Sequence, residues 1–158
     1  MKKILKDIKE TERLAKKIGK IALPQDILIL TGDLGAGKTT FTKGIAQGLG
    51  IKQMIKSPTY TIMREYRDGR IPLFHMDLYR VEMDADELGL EEYFASNGLS
   101  VVEWGKMLAE LPESYIEIIL KKGAKESQRI VDFQAFGLRG KKFYQRIVES
   151  SKNLSTIF

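Results

Sequence analysis

A short segment, residues 32–39, has the residue types and the spacing that bind phosphate groups. It reads Gly-Asp-Leu-Gly-Ala-Gly-Lys-Thr and fits the pattern G-x-x-x-x-G-K-[ST] at every position. The glycines let the backbone turn tightly and direct successive amide N–H groups at phosphate oxygens. The pattern predicts that Lys38 reaches the β- and γ-phosphates and that the Thr39 hydroxyl ligates a magnesium ion bridging them. We therefore expect this segment to bind a nucleoside triphosphate.

Two elements must hold this segment in place. Residues 27–31, Ile-Leu-Ile-Leu-Thr, form an apolar run that predicts a buried strand, and residues 39–48 predict a helix. The start of such a helix adds its positive dipole end to the phosphate site. The residues predicted to contact the nucleotide are Gly35, Ala36, Gly37, Lys38, Thr39 and Thr40.

Two carboxylates are candidates for the chemistry around the phosphates. Glu103 closes the apolar run 99–102, which predicts another buried strand. It could ligate the metal directly, hold it through a water, or orient the attacking water, and the sequence leaves these roles open. Asp77 could hold a magnesium-bound water. The predicted catalytic residues are thus Glu103, Asp77 and Lys38, and the predicted metal ligands are Thr39 and Glu103.

The strand that carries Asp77 is predicted to have two different faces. Because strand side chains alternate, His75, Asp77 and Tyr79 share one face, and Met76 and Leu78 share the other. The sequence predicts one chemical face and one packing face. His75 is interpreted as a hydrogen-bonding structural residue rather than a catalytic base.

Thr59 is a further candidate, because it follows Ser-Pro at 57–58. Its type and position suit a threonine that senses the γ-phosphate through its hydroxyl and backbone, as switch threonines do. An ordinary strand threonine is the alternative interpretation.

The remaining elements predict a single domain of α/β class, with a mixed, mostly parallel sheet flanked by helices and including antiparallel strands. A helix is expected to begin at Asp7, and a pair of antiparallel strands at 59–66 and 71–79 is joined by a turn at 68–69. The other predicted elements are a helix from Asp84 through Phe94, strands at 115–120 and 130–136 with a polar connection at 121–128, and a helix at 139–150.

Composition limits the class of protein. The 158 residues suit one domain, and apolar and charged fractions of 43% and 30% are typical of a soluble globular protein. The chain has no cysteine and no apolar run near the ~20 residues that span a bilayer, so we expect a cytoplasmic protein without membrane contact. The net charge of +5 is compatible with an RNA partner, but solvated helix faces are the favoured interpretation.

Four blocks of the sequence resemble the bacterial TsaE family, also called YjeE, and the resemblance covers most of the chain. The blocks are Gly-Asp-Leu-Gly-Ala-Gly-Lys-Thr-Thr at 32–40, Ser-Pro-Thr-Tyr-Thr at 57–61, His-Met-Asp-Leu-Tyr-Arg at 75–80 and Val-Glu-Trp at 102–104. A phosphate loop alone occurs in many families, whereas these blocks in this order and spacing are specific.

The resemblance implies a small ATPase that uses ATP and Mg²⁺ and assists the TsaB and TsaD proteins in making threonylcarbamoyladenosine in tRNA. It implies that ATP hydrolysis resets the synthase between turnovers, while TsaD performs the transfer to tRNA. Contact of this chain with tRNA is then indirect, and direct contact stays open. By residue, the resemblance makes Lys38 and Thr39 the phosphate and magnesium contacts. It makes Glu103 the second acid on the metal side and Asp77 a residue needed for hydrolysis.

The resemblance also concerns two other residues. Thr59 falls in a switch-like segment, and Trp104 matches a position that is important for activity in the family. A lone tryptophan beside a strand end is otherwise most simply explained by core or interface packing. Hydrolysis is expected to be weak in the isolated protein and to depend on partners.

Three alternatives use the same phosphate loop. A small-molecule or nucleotide kinase would need an arginine-bearing lid, for which Arg64, Arg67 and Arg70 around the predicted hairpin are candidates. A GTPase is disfavoured, because the D-x-x-G match at 86–89 lies in a predicted helix and the sequence has no Asn-Lys-x-Asp motif. The third alternative is a nucleotide-dependent interaction module whose hydrolysis is incidental.

Overall fold

The computed structural model describes residues 2–33, 35–56, 63–78, 89–104, 108 and 110–152, except for the side chains of residues 151 and 152. Its strands are β1 (Lys2–Leu5), β2 (Ile27–Thr31), β3 (Met63–Tyr66), β4 (Leu73–Asp77), β5 (Leu99–Glu103), β6 (Tyr115–Lys122) and β7 (Arg129–Phe136). Its helices are α1 (Ile8–Ile21), α2 (Lys38–Gly48), α3 (Leu90–Phe94) and α4 (Gly137–Lys152). None of the described helices is long and apolar enough to cross a membrane.

The strands form one mixed seven-stranded sheet in the order β1-β7-β6-β2-β5-β4-β3. The central strands β6, β2, β5 and β4 are parallel neighbours. The outer strands join through antiparallel pairings. Two antiparallel pairings separate β1 from β6, so these two strands run in the same direction. Among the described strands, β7 and β3 therefore run antiparallel to the rest. This confirms the predicted α/β fold with a mixed, mostly parallel sheet flanked by helices.

Alternation along β2 divides the core between the two faces of the sheet. Leu28 and Leu30 face a larger apolar cluster that includes side chains of α1, α2 and α4. Ile27 and Ile29 face a smaller cluster, to which α3 contributes Leu90. The strand is therefore buried on both faces, as is usual for a central parallel strand. The segment that follows β2 is therefore anchored at its first end by a buried strand.

Helix α1 begins where the sequence predicts and holds α2 close to it. The Asp7 carboxylate accepts a hydrogen bond from the Glu10 backbone N–H at 2.9 Å, which caps the first turn. Farther along, α1 and α2 pack closely where Gly44 faces Ala15. A Cβ added at Gly44 would lie 2.6 Å from the Ala15 Cβ, so only glycine permits this approach.

Two features of the sheet differ from the sequence-based expectation. β1 was not predicted, because a short strand with two lysines looks like a basic terminus, although lysines are common on edge strands. The connection between β6 and β7 is shorter than expected. Lys121 and Lys122 belong to β6, since they pair with Ile130 and Arg129 on β7.

The predicted pair of antiparallel strands is confirmed in its described part. Met63 of β3 pairs with Met76 of β4, and Tyr66 pairs with Leu73. Residues 57–62 and 79–88 lie outside the described residues. The predictions that concern Thr59, Tyr79 and Asp84 therefore lie outside the described residues. Of the D-x-x-G match at 86–89, only Gly89 is described, and it is the N-cap of α3 rather than part of the helix.

Candidate nucleotide-binding site

The predicted phosphate-binding segment connects β2 directly to α2. β2 ends at Thr31 and α2 begins at Lys38, with residue 34 between them outside the described set. Gly35 and Gly37 have φ angles of 82° and 105°, which residues with a Cβ rarely adopt. Gly37 is also the N-cap of α2, so the unpaired N–H groups of the first turn follow it at once. Backbone N–H groups and a helix N-terminus together favour an anion here.

Lys38 turns its ammonium back toward the start of the segment. Its Nζ donates to the backbone oxygen of Gly32 at 2.5 Å and to that of Asp33 at 3.3 Å. Nζ also lies 4.5 Å from the centroid of the Trp104 ring, which is close enough for a cation–π contact. Lys38 is only 7% exposed, so the positive charge is held at the segment rather than in bulk water.

The hairpin of β6 and β7 supplies further cations beside the segment. Arg129 Nε donates to the Ala36 backbone oxygen at 2.9 Å. A Cβ added at Gly35 would lie 3.6 Å from Lys122 Nζ. A cavity of about 410 Å³ opens between the segment and this hairpin, and it is lined by Gly35, Lys122, Gly123, Ala124, Lys125, Glu126 and Arg129. We call it the hairpin pocket.

Sequence reasoning missed Lys122 and Arg129. The bond from Arg129 to Ala36 spans 93 residues of sequence, and no local pattern announces a contact at that separation. Only the pairing of β6 with β2 brings the hairpin to this place.

The two predicted acids lie at the same edge of the sheet as the segment. Glu103 is the last residue of β5 and Asp77 the last residue of β4, and the two are register partners. Glu103 is also paired with Leu30, one residue before the end of β2. Since these strands are parallel, their carboxyl ends meet at one edge. Both acids are buried, with 4% and 8% exposure.

His75 contacts Glu103 directly. The His75 Nε2 lies 2.6 Å from the Glu103 Oε2, with the imidazole fully buried. This agrees with the interpretation of His75 as a hydrogen-bonding residue. Leu73 shares its face of β4 and belongs to the larger apolar cluster. The face of β4 that was predicted to carry the reactive side chains is therefore apolar at Leu73 and polar at His75 and Asp77.

Trp104 follows Glu103 in a left-handed backbone conformation, with φ of 60°. For a residue other than glycine, this conformation costs roughly 1 kcal/mol and is retained where surrounding contacts hold it. The indole packs beside the smaller apolar cluster and presents its ring to Lys38. Trp104 therefore links the end of β5 to the phosphate-binding segment.

The donor set fits a magnesium nucleotide better than a metal held by protein alone. No group of three or more His, Asp or Glu side chains that could hold a metal ion occurs within the described ranges. Mg²⁺ at nucleotide sites is usually held by one or two protein oxygens together with substrate phosphates. Thr39 and Thr40 lie in the first turn of α2, partly exposed, and Glu103 ends the neighbouring strand. These residues suit that arrangement.

A known protein family matches most of the chain. The family described as "Threonylcarbamoyl adenosine biosynthesis protein TsaE" matches residues 5–131. That range contains the phosphate-binding segment, both acids and Trp104.

Individual proteins and a solved structure are similar over most of their length. A "tRNA threonylcarbamoyladenosine biosynthesis protein TsaE" from Bacillus subtilis is 50% identical over 131 residues, which cover 82% of each chain. One from a Nostoc species is 38% identical over 130 residues, covering 79% of this chain and 80% of its own. The crystal structure of Bacillus subtilis YdiB superposes with a TM-score of 0.83 at 40% identity, covering 97% of this chain and 95% of that one.

Proposed function

Because the chain belongs to the TsaE family, we propose that it binds and hydrolyses ATP as an accessory protein of tRNA threonylcarbamoyladenosine biosynthesis. In this proposal it acts with TsaB and TsaD in the cytoplasm and supports turnover of their synthase. Members of the family take part in this biosynthesis, as the names of the relatives state. Contact with tRNA is then made through the partners.

The observation that carries the ATPase proposal is the meeting of three strand ends at one edge of the sheet. β2 delivers the phosphate-binding segment, β5 delivers Glu103 and β4 delivers Asp77. Bound ATP would supply the phosphoanhydride bond that is cut, and Mg²⁺ would supply a cation that neutralises phosphate charge. The segment that follows β2 thus offers Lys38 for the phosphates, and the ends of β5 and β4 offer two carboxylates for the metal.

The residues divide the proposed work between them. Lys38, the segment N–H groups and the start of α2 hold phosphate oxygens. Thr39 and Glu103 would hold the metal, and Asp77 would hold a metal-bound water. Either acid could orient the attacking water. Enzymes that cut a nucleoside triphosphate work mostly by positioning the reactants and neutralising charge. Buried side chains that are held in one place suit such catalysis.

The hairpin pocket extends the proposed site beyond the phosphates. Lys122 and Arg129 give it positive charge next to Gly35 and Ala36. We propose that the nucleotide extends from the segment toward this pocket, so that these cations help neutralise its phosphates.

The kinase alternative is weakened by what the described arginines do. The Arg70 Nη2 donates to three backbone oxygens at the end of α1, those of Gly19, Lys20 and Ala22. Arg67 forms an ion pair with Glu65 at 3.0 Å. These contacts occupy two of the three candidate lid arginines. The third, Arg64, has a buried Nε without a hydrogen-bond partner among the described residues.

The direct test is reconstitution of tRNA modification from purified TsaB, TsaD and this chain, with and without ATP. We expect repeated turnovers only when this chain and ATP are both present. ATP hydrolysis should be slow in the isolated chain and faster with the partners, because proteins with this kind of phosphate loop often need a partner to complete the site. Rapid hydrolysis by the chain alone, unchanged by the partners, would contradict the partner-dependent proposal.

A further inference from the structure

The buried side chains of His75 and Glu103 are in hydrogen-bond contact. A carboxylate that serves a metal is ionised and only accepts hydrogen bonds, so in that form the 2.6 Å contact has the His75 Nε2 donating to the Glu103 Oε2. Within the described part of the chain, the other ring nitrogen of His75, Nδ1, has no hydrogen-bond partner. The ring thus makes one polar contact there, and that contact is with Glu103.

The surroundings explain why Glu103 needs such a donor. The carboxylate is 5% exposed, and burying a charge without a partner is costly. On the face of the sheet that carries His75 and Glu103, the preceding residues Leu73 and Val101 belong to the larger apolar cluster. The imidazole supplies one hydrogen bond to the carboxylate, and it leaves the second carboxylate oxygen unused by this contact.

The strand register makes the contact rigid. His75 is paired with Val101 and Asp77 with Glu103, so two parallel hydrogen-bonded strands hold donor and acceptor. A carboxylate with one oxygen hydrogen-bonded to a fixed donor rotates less freely than one on an unpaired side chain. Rigid support of a metal-side carboxylate typically decides how well the metal is held.

We propose that His75 is a positioning residue that locks the Glu103 carboxylate, so that its second oxygen is presented to the metal of a bound magnesium nucleotide. This inference rests on the proposed function, because it presumes that Glu103 serves a metal. His75 itself touches neither nucleotide nor metal. A buried histidine that only fills space and stabilises the fold is the competing explanation.

The test compares two amide substitutions that differ in reach. His75→Gln keeps an N–H donor near the position of Nε2, while His75→Asn carries the same amide on a shorter side chain that does not reach Glu103. Mn²⁺ affinity is measured by electron paramagnetic resonance on the full chain saturated with a non-hydrolysable ATP analogue. Analogue affinity in EDTA and the thermal unfolding midpoint are the controls. If His75→Asn does not fold, His75→Met takes its place as the variant without a donor.

We expect His75→Asn to weaken Mn²⁺ binding by about 10-fold or more, with His75→Gln restoring most of it. Analogue affinity in EDTA should change by less than about twofold in both variants, because no phosphate contact is touched. With TsaB and TsaD present, kcat should fall in His75→Asn while KM for ATP at saturating metal changes little. The effect should vanish in a Glu103→Gln background, since His75 then has no carboxylate to hold.

Different failures point to different errors. If the wild type binds nucleotide and metal, and His75→Asn binds Mn²⁺ with the same affinity, the proposed role of His75 is wrong. That result leaves the proposed function standing. Equal losses in His75→Gln and His75→Asn, tracking the unfolding midpoint, would support the space-filling explanation instead. A folded wild type that binds no nucleotide would overturn the proposed function and this inference with it.

Discussion

Replacing Lys38 by alanine should weaken binding of magnesium ATP by about 30- to 1000-fold, and the structure limits the size of that loss. A hydrogen bond to a charged group contributes about 1.5–3 kcal/mol, so two contacts with phosphate oxygens give roughly 3–6 kcal/mol. In the structure, the ammonium already donates to the backbone oxygens of Gly32 and Asp33 and lies over Trp104. Giving up those contacts offsets about 1–2 kcal/mol. The net loss is then about 2–4 kcal/mol, which corresponds to the range above.

The assay is isothermal titration calorimetry with a non-hydrolysable ATP analogue and Mg²⁺. Lys43→Ala is the matched control, because Lys43 is an exposed lysine on the same helix, α2. It should bind within about twofold of wild type, and circular dichroism should show both variants folded. A folded Lys38→Ala that kept wild-type affinity would refute the assignment of residues 32–39 as the phosphate site.

Three further predictions use the same purified protein. Glu103→Ala should spare ATP binding better than partner-stimulated hydrolysis; equal loss of both in a folded variant would make Glu103 a purely binding or structural residue. Arg129→Ala should lower nucleotide affinity by about 5- to 100-fold, because it removes a charged contact and frees the Ala36 carbonyl, whereas the exposed Arg13→Ala should not. Lys17→Met should raise the free energy of unfolding by roughly 1–3 kcal/mol, because the buried Lys17 Nζ has no partner among the described residues. Burial lowers the pKa of Lys17 below 10.5, so wild-type stability should rise with pH toward that value and the variant should lack this rise in urea titrations.

The parts of the fold that depend on local pattern could be predicted from the sequence. The strand before the phosphate-binding segment, the helix after it and the capped start at Asp7 each follow from residues close in sequence. Parallel strands end at the same edge of a sheet whatever their order, but the pairing of Glu103 with Asp77 requires β4 and β5 to be neighbours. The strand order itself could not be predicted, and the contact of Arg129 with Ala36 depends on it.

The donor bond from His75 to Glu103 shows a second limit of sequence reasoning. Alternation along β4 correctly groups His75 with Asp77 on one face, but says nothing about which neighbour lies across the strand pair. The observed register pairs His75 with Val101 and Asp77 with Glu103. The imidazole therefore reaches Glu103 diagonally, which required the register to be known.

The sheet order also separates the charges of the proposed site. On one side of β2, the β6–β7 hairpin brings Lys122 and Arg129 to the phosphate-binding segment. On the other side, β5 and β4 end in Glu103 and Asp77. Phosphates attract the first pair and a magnesium ion attracts the second, so a nucleotide lying across the end of β2 meets both. In the proposed function, the cations of the hairpin would therefore serve the phosphates, while the two acids on the other side of β2 would serve the metal.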